Sequence, residues 1–348
     1  MHNLNMSYFY IFSNSPGEIF AWVKPLCERL AIEFPEKKIH IFLTPCQYAT
    51  GEEFRVCKSF KNVIKIYSPK QTLRHILSPS SFTTGIVFFM GGDPMHAKRF
   101  AKKTTSKLVG YFNSKPSIKG FDYFFYRSTS MDLMAENIQH VPFEHRQGTV
   151  LLPGSRPEHL EIALPLMLNL SETIKEKTIL LSPFISNETV NELKEKYPYH
   201  MIQRMNNSQD LSTFKTAITI PGTNTMQLAY YQIPYIMILP THNAKILRLN
   251  GLMGLLLFIP IIGRVLKYII ISLKVKKHHL YSLPNQHFKE HICPEIIGKF
   301  SIESAKKTVN SFMADTKKQA SIIEKFKSLV PPKNALDDVM KWLKKEIN

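Results

Sequence analysis

Two strand-to-helix corners carry the residues whose types and spacing suit anion chemistry. The stretch 220–240, IPGTNTMQLAYYQIPYIMILP, reads as a strand end, a turn, a helix and a second strand: 217–220 is an apolar run, Pro221-Gly222 breaks it, and Met226, Ala229, Tyr230 and Ile233 recur at helical spacing. Thr223, Asn224 and Thr225 bring small hydroxyl and amide groups to the helix start. The first backbone N–H groups there have no partner within the helix and the macrodipole is positive, so an anion fits. An ordinary capped helix has the same look, and this segment alone leaves both readings open.

A second corner tilts the choice toward a diphosphate. After the strand 149–152 comes Pro153-Gly154-Ser155-Arg156-Pro157-Glu158. Ser155 and Glu158 have capping-box spacing and Pro157 suits a first helical turn, which predicts a helix start at Ser155. Gly154 permits close backbone approach, and Arg156 offers a forked cation matched to phosphate oxygens.

Two carboxylates at other strand ends could move protons. The loop 13–18, SNSPGE, places Glu18 before the helical run 19–34, and Met90-Gly91-Gly92-Asp93-Pro94 places Asp93 where two glycines let a ligand approach. Asp93 reads as the better general base. Each also has a plain structural role open to it: Glu18 complements a helix dipole, and an Asp before Pro forms turns.

The elements that must hold these loops are visible as short continuous apolar runs at 8–12, 39–43, 63–67, 86–90, 107–111 and 123–126, with helical segments between several of them. That pattern belongs to a parallel sheet covered on both faces. Runs at 149–152, 178–181 and 201–203, with an amphipathic segment 188–197, repeat it. The fold class is therefore α/β, two Rossmann-like doubly wound domains with a cleft between them, an architecture used by many nucleotide-sugar glycosyltransferases, in which loops at the carboxyl ends of strands bind ligands. We expect an N-terminal domain over 1–145, a polar linker at 139–148, a second domain over 149–330 and a C-terminal helix over 331–348; the resemblance given below implies that the first is the acceptor side and the second binds the nucleotide-sugar.

Composition narrows the partners. With 348 residues and 44% apolar content the chain can bury two cores. Four cysteines without CxxC pairing imply reduced thiols and a cytoplasmic setting, with no structural zinc and no disulfide expected. The N-terminus lacks the basic region and the apolar length of a signal peptide, so it reads as a first strand. A net charge of +18 implies an anionic partner. No zinc-finger, basic-zipper or RNP-like module is present in the sequence, so nucleic acid is not expected. The run 249–273, LNGLMGLLLFIPIIGRVLKYIIISL, approaches bilayer-spanning length but is broken by Pro260, Gly263, Arg264 and Lys267 and is followed by the basic run 274–279. Insertion 249–279 thus reads as an element lying in an anionic membrane interface, with a buried helix, an oligomer contact or a true span as the other readings.

Taken together, Pro153-Gly154-Ser155-Arg156 with Glu158, Gly222-Thr223 with Thr225, and Leu283-Pro284-Asn285 after the insertion resemble the lipid-A-disaccharide synthase family of inverting GT-B glycosyltransferases. The resemblance is strongest over 149–298. It implies a UDP-sugar donor, no separate cofactor or metal, a lipid-linked or amphipathic acceptor at the inner membrane surface, and a nucleotide diphosphate held by Arg156, Gly222, Thr223 and Thr225, with Asn285 beside the donor. Three positions depart from the family. Its opening Gly-Glu-x-Ser-Gly-Asp keeps only Gly17-Glu18, its Gly-Ile-Asp-Ala-Pro-Asp is reduced to Gly91-Gly92-Asp93-Pro94, and Gln227 stands where the family has Glu. The departures point to a divergent branch. They leave two rivals: a nucleotide-sugar epimerase or hydrolase on the same fold, and a noncatalytic nucleotide- or membrane-binding relative.

Overall fold

A computed structural model describes residues 7–78, 81–112, 119–126, 132–136, 138–206, 208–240, 280–331, 334 and 336–347. The apolar run 249–273 and the basic run 274–279 lie outside the described residues. Among those described, no helix is long and apolar enough to cross a membrane. The chain divides into two compact units, one formed by Met1–Ile138 with Val330–Asn348 and the other by Gln139–Leu329.

The first unit contains strands β1 (Tyr8–Ser13), β2 (Lys38–Leu43), β3 (Val63–Tyr67), β4 (Ile86–Phe89), β5 (Lys107–Phe112) and β6 (Tyr123–Tyr126), all parallel and in the order β3-β2-β1-β4-β5-β6. Ile11 of β1 stands beside Ile41 on one side and Phe88 on the other, and all three are fully buried. Strands in the centre of such a sheet have helices on both faces, which is why the sequence shows unbroken apolar runs rather than alternation. Under one face lies an aromatic cluster in which Phe12 stacks on Phe42 at 4.7 Å between ring centroids. The helix Asp337–Ile347 completes this unit: Val339, Met340 and Leu343 are buried, Arg29 reaches Asp337 at 2.8 Å, and Lys344 reaches Glu33 at 2.7 Å.

The second unit contains β7 (Gln147–Leu152), β8 (Lys177–Leu181), β9 (Met201–Arg204), β10 (Phe214–Thr219), β11 (Tyr235–Pro240) and β12 (Glu295–Gly298), again parallel, in the order β12-β11-β10-β7-β8-β9. Counted from its own first strand, this is the same winding as the first sheet. In both, the chain starts in the middle, fills one side, then crosses to the other, so the first and fourth strands are neighbours and their outgoing loops part to opposite faces. Strand β12 was not foreseen from the sequence, since EIIG is too short to stand out from its surroundings.

Candidate functional site

The first-to-fourth strand boundary of the second unit lies between β7 and β10, and the loops leaving it are the two anion corners. Gly154 has φ +104°, and a Cβ built there would lie 2.7 Å from both Ile220 Cδ1 and His159 Nδ1. The absence of a side chain at Gly154 is thus what lets the β7 loop pack on the last apolar residue before the β10 loop. Gly222 has φ +137° with open space around its Cβ position, so its glycine is required by backbone conformation alone.

Helices Pro157–Leu170 and Thr223–Tyr230 begin from Arg156 and Gly222, and neither receives a side-chain cap. The helices starting at Pro69, Pro94, Asn187, Ile302 and Thr316 are all capped by a Ser or Asp oxygen. Helices Glu53–Lys58 and Leu283–Phe288 also start without a cap from the N-cap side chain; what sets the strand boundary apart is that two such starts lie on adjoining loops, where a bound anion would do the capping. The expected start at Ser155 is corrected here: Arg156 is the capping position in extended conformation, and Ser155 with its small side chain stays in the loop. Ser155, Arg156, Thr223 and Asn224 are all partly exposed.

Other residues singled out from the sequence are turned inward. Thr225 is fully buried, donates its hydroxyl to the Gly222 carbonyl at 2.8 Å and accepts from the Leu283 N–H at 3.1 Å. It braces the corner rather than lining it. Gln227 is buried with Nε2 3.8 Å from the Met205 sulfur. An ionised Glu at this buried position would need a partner to offset its desolvation, a requirement the neutral amide largely escapes. Asn285 is fully buried and its amide is saturated, with Nδ2 donating to the Cys293 carbonyl (2.9 Å) and to Glu295 Oε1 (2.8 Å), and Oδ1 accepting from the Ile292 and Cys293 N–H groups at 3.0 Å each. A role for the Asn285 side chain in holding the donor is therefore corrected: its amide has no hydrogen-bonding capacity left for a ligand.

In the first unit the corresponding boundary lies between β1 and β4. Here Ser15 and Glu18 form a reciprocal capping box, the Glu18 N–H donating to Ser15 Oγ and the Ser15 N–H to Glu18 Oε2, each at 3.3 Å. A Cβ on Gly91, whose φ is +143°, would fall on the Glu18 carboxyl. Burial pushes that carboxyl above its ordinary value near 4.5, against the opposing pull of hydrogen bonds from Ser15 and the Asn14 backbone. The helix then widens into a π turn over Ile19–Val23, which seats Trp22 against Tyr111 at 5.0 Å between ring centroids.

Asp93 is exposed and caps the helix Pro94–Thr104 through Oδ1, 2.9 Å from the Met95 N–H. Both carboxylates thus have structural roles, and Glu18 combines its own with a proton affinity raised by burial. Asn14 and Thr44 were missed from the sequence. Gly92, at φ +83°, packs so that its Cβ position lies 2.6 Å from Thr44 Oγ1 and 3.1 Å from Asn14 Nδ2. The signal was available, since Thr44 follows β2 directly and strand ends flank this boundary. Among the described residues no group of His, Cys, Asp and Glu could hold a metal ion.

No protein-family model matches the chain, and no curated protein does. Solved structures do. A protein assigned as a UDP-N-acetylglucosamine 2-epimerase from Listeria monocytogenes superposes with a TM-score of 0.54 at 10% identity, covering 99% of this chain and 97% of that one. A Staphylococcus aureus MnaA–UDP complex gives 0.52 at 8% identity over the same shares. The fold is GT-B. At such identity the likeness speaks for the fold alone. The two strand-boundary corners of the GT-B units are where the geometry itself points to ligands.

Proposed function

We propose that the chain is an inverting glycosyltransferase that moves a sugar from a UDP-sugar to a lipid-linked or amphipathic acceptor, similar to the lipid-A-disaccharide synthases, and that it works as a peripheral protein on the cytoplasmic face of a membrane. The observation that carries the reading is the pair of helix starts at Arg156 and Gly222 without side-chain caps, drawn together at one strand boundary by the Gly154–Ile220 contact. Two helix N-termini and a guanidinium supply preorganised positive charge for a diphosphate. They would act most strongly as negative charge develops on the departing UDP. No cofactor or metal is called on for this step.

Glu18 is the base we assign to the acceptor hydroxyl. Burial raises its proton affinity, the direction that favours taking a proton from a hydroxyl, whereas Asp93 lies exposed as a helix cap. An epimerase is the rival reading on the same fold, the activity to which the Listeria structure is assigned.

Binding of UDP to purified protein, and its competition by UDP-sugars, tests the donor half. Arg156→Ala should weaken UDP binding about 10- to 100-fold in a protein that stays folded, the range expected for a charge-assisted contact. Unchanged binding would remove the donor assignment. Conversion of a UDP-sugar without any acceptor would replace transfer by epimerisation or hydrolysis.

A further inference from the structure

The positive charge of this chain is concentrated. Residues 54–121 hold thirteen of its lysines and arginines and a single carboxylate, Asp93, so about a fifth of the sequence carries twelve of the eighteen net charges. The helices Pro69–Leu77 and Pro94–Thr104 lie within this stretch, pack against each other and contain no acidic residue. Lys103 ties them together by donating to the Leu77 carbonyl at 2.5 Å.

Each helix is two-sided. Inward, Ile76 of one and Ala97, Phe100 and Ala101 of the other join the aromatic cluster under the first sheet. Outward, Lys70, Leu73, Arg74 and Leu77 recur at helical spacing, as do Met95, Arg99 and Lys102. Leu73, Leu77 and Met95 are 39%, 72% and 46% exposed, high for side chains with nothing to gain from water. Cations interleaved with exposed aliphatic groups on adjoining helices are not what a nucleic-acid groove calls for, since a phosphate backbone rewards the charges and leaves the leucines in water. An anionic bilayer rewards both, the headgroups pairing with lysine and arginine while the aliphatic groups enter the acyl boundary.

We propose that the outer face formed by helices Pro69–Leu77 and Pro94–Thr104 is the surface by which this protein docks on an anionic lipid bilayer. Met95 lies two residues past Asp93, in the first turn after the Gly91-Gly92 loop, so the docked face adjoins the β1–β4 boundary of the same unit. The proposal concerns a face distinct from the diphosphate corner and stands whether or not a sugar is transferred.

Co-sedimentation of the full chain with phosphatidylcholine vesicles, with and without about one third phosphatidylglycerol, tests it at about 0.1 M salt. Wild type should partition onto the anionic vesicles and leave the neutral ones. The combined change Lys70→Glu, Arg74→Glu and Lys102→Glu should lower partitioning at least about tenfold, from the loss and reversal of three surface cations. Leu73→Ser with Leu77→Ser should lower it with charge intact. UDP binding and the melting temperature report that both variants are folded, since every altered side chain is exposed. Vesicle binding unchanged in either variant, equal binding to neutral vesicles, or a preference of wild type for duplex DNA or RNA over anionic vesicles would overturn the proposal.

Discussion

The carboxyl group of Glu18 fills the space into which a side chain on Gly91 would grow. Two residues far apart in sequence thereby specify one another. Gly91→Ala should push Glu18 out of its pocket and strain a backbone held at φ +143°. We expect a stability loss of about 1–3 kcal/mol in calorimetry and a fall in turnover as deep as that of a Glu18 substitution, with UDP affinity intact. Wild-type turnover in the folded variant would separate Glu18 from the chemistry.

The proton affinity of Glu18 gives a pH signature. Its carboxyl is raised above 4.5 by burial, so the folded state favours the neutral acid. Its contribution to stability is then fully present below pH 4.5 and is lost as pH rises through the raised value. A base must be ionised, so kcat/KM should climb over the same window in which stability declines. Glu18→Gln should abolish that acidic limb, reduce turnover about 100-fold or more, and leave the protein no less stable at neutral pH. An unchanged pH profile would argue against the assignment.

Asp93 offers a contrast. As a helix cap it can be replaced by Asn, which caps as well, but not by Ala. Asp93→Asn should keep both melting temperature and turnover, while Asp93→Ala should cost about 1 kcal/mol. A turnover collapse in Asp93→Asn with the fold intact would return the base role to Asp93.

Asn285 should behave as a structural residue. Asn285→Ala strands the N–H groups of Ile292 and Cys293 and the Cys293 carbonyl in the interior, and we expect a loss of about 3 kcal/mol in denaturant unfolding. Under native conditions the folded fraction should bind UDP as wild type does. A selective loss of UDP affinity with stability preserved would place Asn285 at the donor after all.

The strands and the boundary loops were legible in the sequence because parallel sheets covered on both faces write continuous apolar runs, and because Pro and Gly mark where those runs stop. The four loops chosen for their chemistry, after β1, β4, β7 and β10, turned out to leave the middle strands of the two sheets. Side-chain direction was not legible. Thr225, Gln227 and Asn285 sit at positions suited to a ligand, yet the side chain of each is held inside its unit by residues beyond its own element, Leu283, Met205 and Cys293. The capping position moved by one residue, from Ser155 to Arg156: a capping-box spacing marks where a helix can start, not which residue of the loop enters it first. The charge concentrated in 54–121 was written in the sequence in full, but its meaning needed the fold to set two of its helices side by side.

The helix Asp337–Ile347, which closes the first unit, follows the entire second unit in the chain. During synthesis the first sheet is therefore made early and waits, with the surface destined for Val339, Met340 and Leu343 uncovered, while the second sheet emerges. What is begun first is finished last. Until the last helix arrives, the apolar patch it buries stays in water, and exposed apolar surface of that kind is what makes an unfinished domain prone to association.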